Sequence, residues 1–373
     1  MAYTTIDDPS AHFQTATYTG NGANTVVTNG GNSDLKPDFL WIKNRTAGYA
    51  HFVVDSNRNI SYAQNSSNAP YLETDSNAAE NSNQNWMQSV NTDGFTTGIA
   101  EHTNCNSGSA YVAWQWKANG GTTASNTDGN ITATVQANPT AGFSIITYTG
   151  NGVQTGKTVG HGLGAVPKMI ISKDRGSTSN VTTWRVYHEG IGNTKYLTLN
   201  ATDAASTYND WDNTTPTSSV YSVGGAGGYT PTNTNNANYL AYVFADVQGY
   251  SKFGSYVGNG NANGAFVYLG FAPAWLLIKR FDAGATNWNL YDNKRESSGG
   301  SFAAGQDASR RLFPNSSAAE SADAAHSNLD FTSNGFKLRG TQGSQNGSGS
   351  SYIYMAFAEN PFTTSTGIPT TAR

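Results

Sequence analysis

The sequence predicts an all-β protein of three tandem antiparallel β-sandwich units, jelly-roll-like in architecture, and three observations carry the prediction. Of 373 residues only 12% are charged, about half the usual share, while 12% are aromatic and 41 are glycine. Gly, Asn and Ser supply turns, whereas Thr, Tyr, Phe, Trp and Val suit strands. The pentapeptide YTGNG at residues 18–22 returns at 148–152, with a near copy, YVGNG, at 256–260. Each copy is followed by the same landmarks in the same order, the signature of an internal repeat.

The elements follow in chain order. Residues 1–12 read as an N-terminal arm suited to attachment. Unit one (13–117), unit two (142–248) and unit three (249–362) each open on a strand ending in the pentapeptide tyrosine, Tyr18, Tyr148 or Tyr256. Pro37, Pro167 and Pro273 follow after 19, 19 and 17 residues. Apolar runs then lead to lysines six residues past the prolines, Lys43, Lys173 and Lys279. Because residues such as Phe39-Leu40-Trp41-Ile42 are apolar at every position, this strand is expected to be covered on both faces. HFVVD, WRVYH and WNLYD come next, which aligns His51 with Trp184 and Trp288, and His188 with Asp55 and Asp292.

Each unit closes on a tyrosine-led strand from Tyr111, Tyr239 or Tyr352. Alternate residues there (Val112, Trp114, Trp116; Leu240, Tyr242, Phe244; Ile353, Met355, Phe357) are large and apolar, so period-two geometry places them on one buried face. A unit of this length matches a two-sheet sandwich and exceeds a propeller blade. Residues 118–141, rich in turn formers, read as a linker, and 363–373 as a C-terminal tail. The junction near 245–254 is shorter, so units two and three are expected to lie closer together than units one and two.

Several function classes lose support. Net charge is −4 with no run of Lys or Arg, which disfavours nucleic acid. A single cysteine, Cys105, excludes an intramolecular disulfide and multi-cysteine metal sites, and suits synthesis in a reducing cytoplasm. No segment has the run of roughly 18 apolar residues that a membrane helix needs, so membrane insertion is not expected. The start, MAYTTIDDPSAHF, lacks the apolar core of a secretory signal.

The pentapeptide superficially resembles a phosphate-cradling loop, but turns and strands follow it instead of a helix, so it reads as a tight turn. The six histidines show no metal-ligand spacing, and the close carboxylate groupings (Asp7-Asp8, Glu73 with Asp75, Asp210 with Asp212) sit in polar stretches. No catalytic constellation is recognisable, and no catalytic residue, metal or cofactor is assigned. Trp86 and Trp211 lie among Asn and Asp, as sugar-stacking rings do, and are the candidate glycan contacts. Each follows a tyrosine (Tyr71, Tyr196) by 15 residues, with His326 near the same place in unit three, so a structural role competes.

The stretches MAYTTIDDPSAHFQTATYTGNG, GHGLGAVPKMIISKDR and YIYMAFAENPF resemble a family of bacteriophage proteins frequent in phages of marine bacteria. The resemblance spans nearly the whole chain, departing mildly where unit one closes with YVAWQWKANGG. It implies a non-enzymatic virion structural protein, a capsid decoration, head fibre or tail appendage, made in the host cytoplasm and partnered by other virion proteins. The alternative is a carbohydrate-binding receptor-recognition module or a polysaccharide depolymerase facing a host surface glycan. Unprotected sheet edges would suit a homo-oligomer, such as a trimer packed around an axis.

Overall fold

The computed structural model describes residues 2–58, 69–82, 86–99, 105–176, 183–295, 310–321 and 329–370. It is all-β, and every strand ladder is antiparallel. Each unit has two layers. In unit one the inner sheet runs Phe13–Thr19, Ala110–Trp116, Phe39–Asn44, Phe52–Asp55, Leu72–Glu73. The outer sheet runs Val26–Val27, Phe95–Thr97, Met87–Val90. Opening and closing strands pair over their full length, as in a jelly roll, but Phe39–Asn44 continues into a simple meander.

Units two and three repeat the plan. The opening strands Phe143–Thr149 and Ser251–Val257 pair with the closing strands Asn238–Phe244 and Ser351–Pro361. Beyond them lie Met169–Asp174 with Arg185–His188, and Phe271–Arg280 with Asn289–Asp292. Their outer layers are the pair Lys157–Gly160 and Val220–Val223, and the sheet Phe266–Tyr268, Gly335–Leu338, Leu329–Thr332.

The expected large apolar face of each closing strand is buried, and all three faces meet in one core. Trp116 meets Trp275 edge-on at 5.7 Å, Phe39 lies 4.1 Å from Tyr242, and Phe244 lies 6.0 Å from Phe357. Aromatic edge-to-face contacts of this kind add to area burial. The centre is filled, with a void of only about 10 Å³ among these rings. The opposite face of each closing strand is buried too, under the outer layer, in a separate core for each unit. Three sandwiches thus close around a pseudo-three-fold axis within one chain.

The pentapeptide is a structural device used three times. Its tyrosine stacks on the tyrosine that begins the closing strand: Tyr18 on Tyr111 at 5.1 Å, Tyr148 on Tyr239 at 5.0 Å, Tyr256 on Tyr352 at 4.9 Å. The first glycine lies where a Cβ would come 2.3–2.4 Å from a backbone oxygen, at Gly20, Gly150 and Gly258. The second has φ of +75°, +73° and +64° at Gly22, Gly152 and Gly260, a region costly for residues with a Cβ. Between them the side-chain oxygen of Asn21, Asn151 or Asn259 accepts from the N–H two residues on.

Three expectations change. Residues 118–141 do not form a linker, because Ala124–Asn126 and Ala133–Asn138 add two strands to the inner sheet of unit two, on the edge of Phe143–Thr149. The strand Ala133–Asn138 alternates well enough to bury Ala133 and Val135. Units two and three do not pack together apart from unit one, since each unit touches both others in the shared core. Residues 2–12 do not project as an arm: Ile6 enters the central core, Thr4 Oγ1 donates to Gln248 O at 2.7 Å, and Asp7 accepts from Ser365 N at 2.6 Å in the C-terminal tail.

Candidate functional site

The repeated polar residues sit at the joints between units. Lys43, Lys173 and Lys279 are 0%, 1% and 0% exposed. Lys43 Nζ donates to Ser317 O of unit three at 3.0 Å, Lys173 to Asn77 O of unit one at 3.4 Å, and Lys279 to Thr202 O of unit two at 3.0 Å. The donations run one way round the ring and close it. Burial pushes all three lysines down to about 8, with nearby Asp75, Asp174 and Asp203 partly opposing.

The aligned Asp/His position works the same way. Asp55 pairs with Arg58 at 2.7 Å and accepts from Tyr242 Oη of unit two at 2.8 Å. Asp292 pairs with Arg295 at 2.5 Å and accepts from Trp114 Nε1 of unit one at 2.9 Å. In unit three the residue matching Trp114 and Tyr242 is Met355, which has no strong donor, and the residue that takes the place of Asp55 and Asp292 at that joint is His188. His188 Nε2 bonds the Tyr354 carbonyl at 3.1 Å, and burial pushes the imidazole down to about 4. The change from Asp to His therefore follows the partner.

Glu80 and Glu320 complete two joints by bridging arginines of adjacent units, Arg58 with Arg175 and Arg295 with Arg45. At the third joint Ala205 and Phe281 take these places, and both pack on the central core. Trp184 and Trp288 donate across joints to Glu73 O and Thr198 O, at 2.8 and 3.0 Å. His51, aligned with them, is buried and accepts from Trp41 Nε1 at 2.9 Å.

The candidate glycan residues are placed differently. Trp211 is 1% exposed, packed edge-on against Tyr187 at 5.8 Å inside the outer core of unit two. Its apolar neighbours there, such as Tyr221 and Val223, draw the ring inward, so it cannot stack on a sugar. Trp86 is half-buried and lies over Phe52 and Tyr71 at 4.5 and 4.7 Å. His326 lies outside the described residues. Of the carboxylate groupings, Asp75 accepts from His51 N, Asp212 from Gly156 N, and Asp8 from Ser10 and Ser33. Among the described residues no group of three His, Cys, Asp or Glu is placed to hold a metal ion.

The strands that bury Trp211 assemble a cluster that sequence spacing did not reveal. Arg185, buried, lies 4.0 Å below the Tyr196 ring and donates to Tyr229 Oη at 2.9 Å. Asp210 Oδ2 is 3.6 Å from its guanidinium, and burial, only partly opposed by Arg185, pushes that carboxyl up to about 6. Tyr208 joins Tyr229 at 5.7 Å, and Tyr196, Tyr208 and Tyr229 are all half-exposed. The result is a tyrosine surface backed by a cation, able to stack on and hydrogen-bond a polyhydroxylated ligand. The matching residues are Phe52 and Tyr71 in unit one, Asn289 and Arg311 in unit three, so the chemistry is peculiar to unit two.

Fold and joints together define a class: an all-β protein of three two-layer units closed on one shared core. The chain belongs to the family described as a domain of unknown function, DUF7483, which matches residues 8–361. No curated protein and no solved structure matches it.

Proposed function

We propose that the chain is a non-enzymatic structural protein of a bacteriophage particle, carried on its surface as a capsid decoration, head fibre or tail appendage among other virion proteins. The observation behind this reading is the use made of the repeated polar residues. Lys43, Lys173, Lys279, Asp55, His188 and Asp292 are all buried at joints, where they bond one unit to the next around the shared core. The phage-like sequence blocks and the neutral Asn, Ser, Thr and Gly-rich composition support the same reading. The test is mass spectrometry of gradient-purified particles, with antibody-labelled micrographs. A fixed copy number per particle and a labelled head or tail are expected; particles lacking the protein would refute it.

A second reading, a carbohydrate-binding receptor-recognition module, is favoured by Tyr196, Tyr208 and Tyr229 around Arg185. It predicts glycan-array binding that Tyr229→Ala weakens at least tenfold while the variant still melts cooperatively above the assay temperature. A negative array, or binding indifferent to Tyr229→Ala, excludes this site.

A further inference from the structure

The opening strand of unit one, Phe13–Thr19, is the edge of its sheet. Gly20 N donates to Ser109 O and Lys117 N to His12 O, so the even-numbered residues point their backbone groups at the closing strand. Alternation then turns the N–H and C=O of Phe13, Thr15 and Thr17 outward. They face a groove of about 590 Å³, whose far wall includes Asn293, Lys294 and Glu359 of unit three.

Unit two shows what fills such a groove. There the same edge is occupied by Ala133–Asn138, pairing Asn138 with Phe143, Gln136 with Ile145 and Thr134 with Thr147. The turn after Asp55 holds that strand: Ser56 Oγ donates to Gln136 Oε1 at 3.1 Å and Asn57 Nδ2 to Thr134 O at 2.9 Å. Asn293 and Lys294 follow Asp292 as Ser56 and Asn57 follow Asp55. Among the described residues, Asn293 Oδ1 is buried and meets no hydrogen-bond donor, and Thr15 Oγ1 across the groove is likewise buried with no partner. Buried polar atoms in this state cost stability until something supplies a partner. Unit three has the same strand edge, but Gly190 of unit two closes on it, where a Cβ would lie 3.1 Å from Ser255.

We propose that the unit-one groove binds an extended, uncharged segment of a partner protein, which adds antiparallel to Phe13–Thr19 as Ala133–Asn138 adds in unit two. The segment carries small or β-branched residues at alternate positions with an amide between, as in Val135-Gln136-Ala137. Backbone pairing supplies affinity and the alternate side chains supply selectivity. Among the described residues the charged groups lining the groove are Lys294 and Glu359, and they neutralise each other at 3.1 Å. This inference does not depend on the particle assignment.

The probe is a labelled peptide of residues 130–141, NITATVQANPTA, titrated onto the full chain by fluorescence anisotropy. Saturable binding is expected, weakened at least tenfold by Thr17→Pro, which removes an outward donor and spares the pairing to the closing strand. Asn293→Ala should weaken it as well, and serves as the test if Thr17→Pro alters melting. No saturable binding, or binding that both variants leave unchanged, overturns the proposal. Self-association that Thr17→Pro abolishes in sedimentation, without peptide competition, would show a second copy in the groove and would also overturn it.

Discussion

Raising the pH from 8 to 10 should stabilise this protein, because of the three lysines at its joints. In the unfolded chain a lysine keeps its proton to about 10.4. In the fold, burial pushes Lys43, Lys173 and Lys279 down to about 8. Between these values the unfolded chain binds more protons than the folded one, so unfolding free energy rises with pH. Each lysine contributes up to about 1.4 kcal/mol per pH unit, and on the order of 3 kcal/mol across the window. The gain is complete above the unfolded value and lost as pH falls through the folded one. Buried tyrosines such as Tyr221 and Tyr250, raised by burial, act in the opposite sense only above about pH 10, where unfolded tyrosine ionises.

The assay is urea unfolding by tryptophan fluorescence at fixed ionic strength, with the slope m checked for constancy. Lys279→Met should remove about a third of the pH dependence. At pH 10 it should destabilise by about 1–3 kcal/mol, because Thr202 O and Thr286 O lose a buried donor. At pH 7 relief of the buried charge offsets that loss, leaving the variant near wild type. A urea midpoint that stays flat or falls from pH 8 to 10 would refute the reasoning.

Two further outcomes follow from the joints and the turn. Asp55→Ala should cost about 3 kcal/mol, since among the described residues buried Arg58 then keeps Glu80 alone as an ionic partner. A cycle with Tyr242→Phe should then show coupling of roughly 0.5–3 kcal/mol across the joint, and additive losses would mean the two units are not joined there. Gly150→Ala brings a Cβ 2.3 Å from Thr234 O, whereas at Gly156, with φ +70°, a Cβ meets nothing. Thermal melts should therefore show the first costing at least twice the second, whose penalty is about 1–2 kcal/mol of backbone strain.

Much of the architecture was legible because the units are built from short-range patterns repeated three times. Alternation along Tyr111–Trp116, Tyr239–Phe244 and Tyr352–Phe357 identifies a buried face without reference to any other unit. The pentapeptide reads as a turn because glycine conformation and close approach are local properties. The candidate site was less legible. Trp211 in its polar flank looks exposed, but Tyr187 and Tyr221 come over it from distant strands. The cluster of Arg185, Tyr196, Asp210 and Tyr229 spans 45 residues of chain and has no spacing to notice.

The sequence by itself determined the strand class, the triplication and the turn that ends each opening strand, because residue type and periodicity act over a few positions. Only the tertiary structure decided that the three units share one core, and that residues 118–141 pair with a strand edge instead of linking units. It alone showed that lysines aligned in sequence reach round a ring to carbonyls 77 to 274 positions away. Those contacts depend on how three sheets close about an axis, and no local pattern encodes which surface a strand will meet.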